Sequence, residues 1–259
     1  MITKQLILTK LQKSLIENPN INAMWLEGSD GTGSADNYSD LDIVMDVVDG
    51  FEADSFHLIE KTLQEIGPLD LNSEESYQPL LKYKVYHLQG TPEFLFLDVT
   101  IQSESRRFKF TIENDSEVPY VLFDKKGIIQ YQSLDKNSLH QQLIKRLISL
   151  ENTMKQKARA EKYIARGKFM EAFGYYQKFV LEPLVELLRI NYKPINHDYY
   201  IVSISKHLPK DVCVELEGLF KNSSLDELKE NICKAYEWFY RELPKVREKL
   251  NRSVRMKGC

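Results

Sequence analysis

The pattern of apolar and polar positions changes character part-way along the chain. In the first half its period shifts often. "MITKQLILTKLQKSL" (1–15) places apolar residues at helical spacing among Lys and Gln and predicts an amphipathic first helix. "AMWLEG" (23–28) is a short apolar run closed by Gly and predicts a buried strand. "LDIVMDVV" (41–48) is a β-branched run with acids at every second or fourth place, again a strand. "SFHLIEKTLQEIG" (55–67) returns to helical spacing and stops at Gly-Pro. "KYKVYHL" (82–88) alternates as a half-buried strand does, and "EFLFLDVTIQ" (93–102) is rich in strand formers. "YVLFDKKGIIQY" (120–131) predicts two strands around a Lys-Gly turn. Together these predict a mixed sheet of about five strands.

From Ser138 onward the 3.6-residue period dominates, over 138–165, 167–191, 209–221 and 225–250. Pro183 falls inside one such run and predicts a kink or a split there. "NYKPINHDYY" (191–200) is the clearest long connector. The predicted fold class is α+β: an N-terminal domain, 1–133, with a mixed β-sheet, followed by a C-terminal α-helical bundle domain, 134–259. No internal repeat or low-complexity tract interrupts either half.

Composition narrows the function little. The 259 residues are 42% hydrophobic and 28% charged, values of an ordinary globular protein. A net charge of −3 gives no electrostatic case for duplex nucleic acid as the main partner. No run approaches ~20 apolar residues, so no membrane span is expected. The N-terminal stretch reads as a helix and not as a signal peptide. Cys213, Cys233 and Cys259 are odd in number and far apart, which points to a reducing cytoplasm and neither a disulfide framework nor a zinc site.

Chemistry enters with "WLEGSDGTGSADNYSDLDIVMDVV" (25–48). Gly28 and Gly33 have the spacing of a phosphate-binding P-loop, but Ser34 follows where Lys is needed. Gly31 and Gly33 begin a dinucleotide fingerprint that Asp36 breaks. Asp40 and Asp42, separated by Leu41, fall on one face of a strand, while Leu41, Ile43 and Met45 face a core. Two carboxylates side by side on a rigid element are costly unless a cation or a strong donor sits between them. Mg²⁺ suits one or two carboxylates plus substrate phosphates. Gly28 and Ser29 bring backbone N–H groups and a hydroxyl to such phosphates. Asp98, inside "FLFLDVTI", is a third strand carboxylate that would complete a divalent-metal triad. Asp36 and Asp46 are expected to solvate the loop and the strand end. Gly31 and Gly33 favour a flexible turn after Gly28-Ser29 over a helix.

The "GS" at 28–29, ten intervening residues, and "DLD" at 40–42 resemble the G-S…D-x-D signature of the DNA polymerase β-like nucleotidyltransferase superfamily. The "YSDLDI" context, "VLFDKKGII" and a helical second half look like the antibiotic nucleotidyltransferases, which include aminoglycoside and lincosamide enzymes. The resemblance covers roughly the first 100 residues by motif and the rest by architecture. It implies that the first domain is a nucleotidyltransferase domain in which Asp40, Asp42 and Asp98 hold one or two Mg²⁺ ions. Gly28 and Ser29 would hold ATP or another nucleoside triphosphate. Asp98 would complete the second metal site or serve as base on a small-molecule acceptor's hydroxyl. A homodimer occurs among relatives. An antitoxin-like relative acting on a protein partner is the alternative the resemblance also allows. One departure stands out: Asp30 follows Ser29 directly and adds negative charge. It turns away, takes a cation, or weakens the nucleotide-site reading.

The helical half offers less. Arg166 and Lys168 flank Gly167, a helix break, and are the first candidates for a cation meeting the triphosphate. Arg159 and Lys162 read as a solvated helix face. Glu161 and Glu171 are candidate general bases that no motif selects. "YEWFYREL" (236–243) reads as core packing. His197 stands alone on the connector, and His57, His87, His140 and His207 are scattered.

Overall fold

The computed structural model describes residues 2–78 and 80–255, and all of their side chains except those of 75–77 and 253–255. Cys259 lies outside the described residues. The chain divides into two compact units, Met1–Leu134 and Asp135–Cys259. Among the described residues no helix is long and apolar enough to cross a membrane.

The first unit is built on helix α1 (Lys4–Ile16), strand β1 (Ile21–Leu26), a single helical turn α2 (Gly28–Gly31), β2 (Leu41–Val47), α3 (Glu52–Gln64), β3 (Leu69–Gln78), β4 (Leu81–Leu88) and β5 (Leu97–Ser103). The short β6 (Phe110–Thr111), then β7 (Tyr120–Asp124) and β8 (Tyr131–Gln132), complete it. Six strands form one sheet in the order β3-β4-β5-β2-β1-β7, and β6 pairs with β8 separately. The β2–β5 pair is parallel and the other pairs of the large sheet are antiparallel, so the sheet is mixed.

Strand alternation explains its two faces. Leu41, Ile43, Met45 and Val47 of β2 join Val99 and Ile101 of β5 beneath Ile7, Leu11 and Leu15 of α1 and Phe56, Ile59 and Leu63 of α3. Each fully buried aliphatic side chain contributes about 1.5–3 kcal/mol by leaving water. The other face carries a smaller cluster of Ala23, Trp25, Val44 and Phe110. Residues 23–26 of β1 alternate between the two faces, and a bulge at Asn22 puts Ile21 on the same face as Met24 although they are three residues apart. Thr3 caps α1 by accepting the backbone N–H of Leu6.

Two expectations need correction, and one strand stands where none is expected. Residues 69–78 form the edge strand β3. An edge strand tolerates acids because one side of it meets water. The segment at 93–102 becomes strand only from Leu97. The hairpin expected over 120–131 is absent. The Asp124 carboxylate accepts the backbone N–H groups of Lys126, Ile128 and Ile129, and the chain turns away to pair β8 with β6.

The second unit is helical: α4 (Lys136–Met154), α5 (Ala158–Ala165), α6 (Phe169–Tyr176), α7 (Glu182–Tyr192), α8 (Ile204–His207), α9 (Lys210–Phe220) and α10 (Leu225–Arg255). Asp135 caps α4 through the N–H groups of Asn137 and Ser138. Pro183 splits its helix as the sequence leads one to expect. Residues Gln177–Leu181 form a π-helical turn just before it, because proline cannot donate to the carbonyl four residues back. Arg189 is fully buried and holds the connector in place. Its guanidinium donates to the carbonyls of Tyr200, Asn196 and Val202 and meets Nδ1 of His207 at 3.0 Å.

Candidate active site

The site begins where β1 ends. Glu27 N donates to the carbonyl of Asp42 at 3.0 Å, so the antiparallel β1–β2 pairing holds the Gly28 turn against β2. Gly28 has φ 56°. A Cβ built on it would lie 1.9 Å from Oδ2 of Asp42. Only glycine accommodates both the left-handed backbone and that close approach. Gly31 is similarly confined, since a Cβ there would lie 2.0 Å from the carbonyl oxygen of Val118. The expected flexible turn is therefore a helical turn, closed by Gly31 N to the carbonyl of Glu27 and Thr32 N to that of Gly28. It is built from tight packing, which overrides the low helix propensity of glycine.

Asp42 lies on β2, and Asp40 lies just ahead of the strand. The parallel register aligns Asp42 directly with Asp98 of β5. One carboxylate oxygen from each of Asp40, Asp42 and Asp98 lies within 4.8 Å of the others. The Tyr83 hydroxyl on β4 donates to Oδ1 of Asp98 at 2.5 Å. Sequence reading missed Tyr83; its only signal is the alternation of "KYKVYHL", which places it on a face without saying which.

The electrostatics are one-sided. Burial pushes the Asp42 carboxyl up to about 7, and the charges of Asp40, Asp98, Glu27 and Asp30 add to the shift. Burial also raises Glu27, against the lowering effect of the Trp25 indole N–H that donates to it at 2.8 Å. Asp30 does find a cation. Lys4 Nζ of α1 lies 2.8 Å from its Oδ2, which answers the extra charge beside Ser29. Ser29 Oγ is buried and has no hydrogen-bond partner among the described residues. Buried hydroxyls are normally satisfied, which sets this one apart.

Asp36 organises the loop before the strand, accepting from Tyr38 N and the Ser39 hydroxyl. Asp46 does not solvate a strand end, as its position suggests in sequence. It is buried and accepts one amide N–H each from Asn22 and Gln102, both at 2.8 Å.

The candidates of the helical half occupy the α5–α6 region of the second unit. Arg166 follows the end of α5 with its guanidinium 5.5 Å from the Tyr163 ring, and exposed Lys168 precedes α6. Tyr163, Tyr175 and Phe179 stack in series at 5.2 and 5.7 Å, and Arg159 lies over Phe179. Glu161 pairs with Lys157. His197 is not alone: its Nδ1 lies 3.0 Å from Glu186, which also receives Arg146.

No protein-family model and no curated protein matches this sequence. Solved structures similar to the chain include a nucleotidyltransferase-like protein from Exiguobacterium sibiricum, at 13% identity over 96% of this chain and 78% of that one, with a TM-score of 0.38. The spectinomycin adenyltransferase AAD(9) from Enterococcus faecialis, solved with ATP and spectinomycin, is 11% identical over 98% and 100%, with a TM-score of 0.37. JHP933 from Helicobacter pylori is 10% identical over 98% and 100%, with a TM-score of 0.28. At these scores the overlaps are loose, and the carboxylate cluster and its loop carry the functional reading by themselves.

Proposed function

We propose that this protein is a metal-dependent nucleotidyltransferase that moves a nucleoside monophosphate, adenylyl foremost, from a triphosphate to a hydroxyl of a small molecule. The observation that carries this reading is the clustering of Asp40, Asp42 and Asp98 beside a glycine turn with a buried, unpartnered Ser29 hydroxyl. Three mutually repelling carboxylates suit a divalent ion of the hard, oxygen-preferring kind. Asp40, Asp42 and Asp98 would hold Mg²⁺, which would supply counter-charge to the transferring phosphoryl group and to the leaving pyrophosphate.

The chain's own residues position and orient. Gly28 lets the loop lie against Asp42, and Ser29 Oγ offers a hydroxyl to a phosphate oxygen. Lys4 draws Asp30 away from that anion. The acceptor oxygen forms a bond to the α-phosphorus, the bond to pyrophosphate breaks, and the acceptor's proton passes to Asp98. Tyr83 steadies that carboxylate. Arg166 and Lys168 are our candidates for counter-charge to the triphosphate. Such a reaction is mostly positioning plus electrostatics. By its resemblance to the antibiotic enzymes, the acceptor belongs to the hydroxyl-bearing aminoglycosides or lincosamides.

Calorimetric titration of a non-hydrolysable ATP analogue with Mg²⁺ tests the reading. Binding by the wild type that vanishes both in EDTA and in Asp40→Ala/Asp42→Ala supports it. An acceptor panel that includes spectinomycin, read by pyrophosphate release, then identifies the substrate. Metal-independent binding, or equal binding by the double variant, would sink the assignment.

A further inference from the structure

The non-core face of β2 carries a second buried acid, four residues and about 13 Å along the strand from Asp42. Asp46 lies at the floor of a cavity of about 650 Å³ in the first unit, formed by the end of β2, the end of β5 and the loops at 104–109 and 126–130. That volume is ample for a small organic ligand.

The floor is rigid and acceptor-rich. Arg106 Nη1 donates to Oε1 of Gln102 at 2.6 Å, which fixes the Gln102 amide so that its Nε2 donates to Oδ2 of Asp46. Asn22, on the β1 bulge, donates to Oδ1. Each carboxylate oxygen keeps a lone pair that no protein donor takes. The nearby cation whose charge reaches Asp46 is Lys126, which is itself paired with Glu104.

The rim has the opposite sign. Arg107 and Lys109 are exposed and have no side-chain partner among the described residues. Arg107 is held at φ 45°, a left-handed conformation costly for a side chain of this size. Lys126 is already engaged with Glu104 at 3.2 Å, and Asp49 accepts the backbone N–H of Ser105. The charged lining thus comprises three acids and three bases and is formally neutral, with the buried acid inside and the free bases outside. Val48, Phe108 and Ile128 supply an apolar wall.

We propose that this cavity binds a zwitterionic molecule of the α-amino-acid class, its ammonium on Asp46, its carboxylate on Arg107 and Lys109, and an apolar side chain against Phe108 and Ile128. A nucleotide would bring only negative charge and base edges to an acidic floor. A polyamine would have to pass two unpaired cations. A zwitterion matches both ends at once. The site is independent of the carboxylate triad and requires no metal.

The test uses the full chain in EDTA, titrated with leucine, methionine, phenylalanine and tyrosine and followed by calorimetry and amide chemical shifts. At least one binds with a dissociation constant of about 1 mM or tighter. Its N-acetyl derivative and its carboxamide each bind about 10-fold more weakly or worse, since each loses one charged hydrogen bond. Arg107→Ala, an exposed change that spares the fold, weakens binding about 10-fold, as does Asp46→Asn. Asp40→Ala/Asp42→Ala binds as the wild type does, so failure here is separable from failure at the triad. Absence of binding by all four amino acids at about 10 mM overturns the proposal. So does a derivative that binds as well as its parent, or a nucleotide that shifts the same amides in competition.

Discussion

Asp42 and Asp46 share one face of one strand, yet the protein treats them in opposite ways. Asp46 is clamped by two side-chain amides, one from the β1 bulge and one from β5. Asp42 is surrounded by Asp40, Asp98, Glu27 and Asp30. Burial raises both carboxyls, but only at Asp46 do hydrogen bonds oppose it. The first carboxylate is held by hydrogen bonds from the chain itself, and the second is in a repulsion held in place by the sheet. A divalent ion bound there, as we propose, would relieve that repulsion.

The strongest way to break this comparison is to remove each acid in turn. Asp42→Ala is expected to lower metal-dependent nucleotidyl transfer by about 10³-fold, the scale of losing a principal electrostatic contact in an active site. It leaves the apoprotein as stable as before or more so. Asp46→Ala does the reverse to stability: two buried amide groups lose their acceptor, at about 1–3 kcal/mol each. Urea melts in EDTA alongside pyrophosphate-release assays check both halves. Equal destabilisation by the two variants would remove the distinction.

Gly28 sharpens the comparison at the Asp42 end. Gly28→Ala forces a Cβ into Asp42 Oδ2, so the carboxylate must move out of the cluster. We expect metal-dependent nucleotide binding to weaken about 100-fold, as though a principal donor were displaced. Gly33 is the control, with φ 69° but open space around it. Gly33→Ala costs only the backbone strain of a left-handed residue, about 1–2 kcal/mol, and leaves binding intact. Calorimetry on both variants separates crowding from strain.

How much of this was legible in the sequence follows from the range of each interaction. Helix α1, strands β1, β2 and β4, the Pro183 break and the run of helices rest on periods of a few residues, and the sequence displays them. Gly28, Ser29, Asp40 and Asp42 sit within one stretch and are named together by spacing. What brings Asp98 beside Asp42 is the parallel β2–β5 register, which no local pattern encodes. Asp46 looks solvated because its partners, Asn22 and Gln102, lie 24 and 56 residues away. Strand β3 is hidden by its acids. The hairpin at 120–131 fails because one side chain, Asp124, captures three backbone N–H groups that a strand would have used.

Tyr83 gives a smaller effect. Tyr83→Phe deletes the hydroxyl that orients Asp98 and retains the ring. Groups that orient metal ligands contribute about 10-fold or more to affinity. We therefore expect about 10-fold weaker Mn²⁺ binding, read by paramagnetic relaxation of water, with thermal stability nearly unchanged. An unaltered Mn²⁺ isotherm would place Tyr83 outside the site's function.

The mildest perturbation is a proton. In the folded chain the Asp42 carboxyl is raised to about 7, above its unfolded value of 3.8. A raised group contributes stability that is fully present below the unfolded value and is lost as the pH climbs through the folded one. The apoprotein should therefore lose stability between about pH 4 and pH 8 relative to Asp42→Asn, which cannot ionise there. Saturating Mg²⁺ reverses the trend, because the ion binds the ionised carboxylate and gains affinity as the proton leaves. Melting temperatures of the two proteins across this range, with EDTA and with Mg²⁺, give four curves. The wild type in EDTA should fall away from the variant as the pH rises, and Mg²⁺ should lift the wild type alone. Parallel curves in EDTA would mean that neither burial nor the acids around Asp42 raise it in the folded chain, and the contrast with Asp46 would fail at its origin.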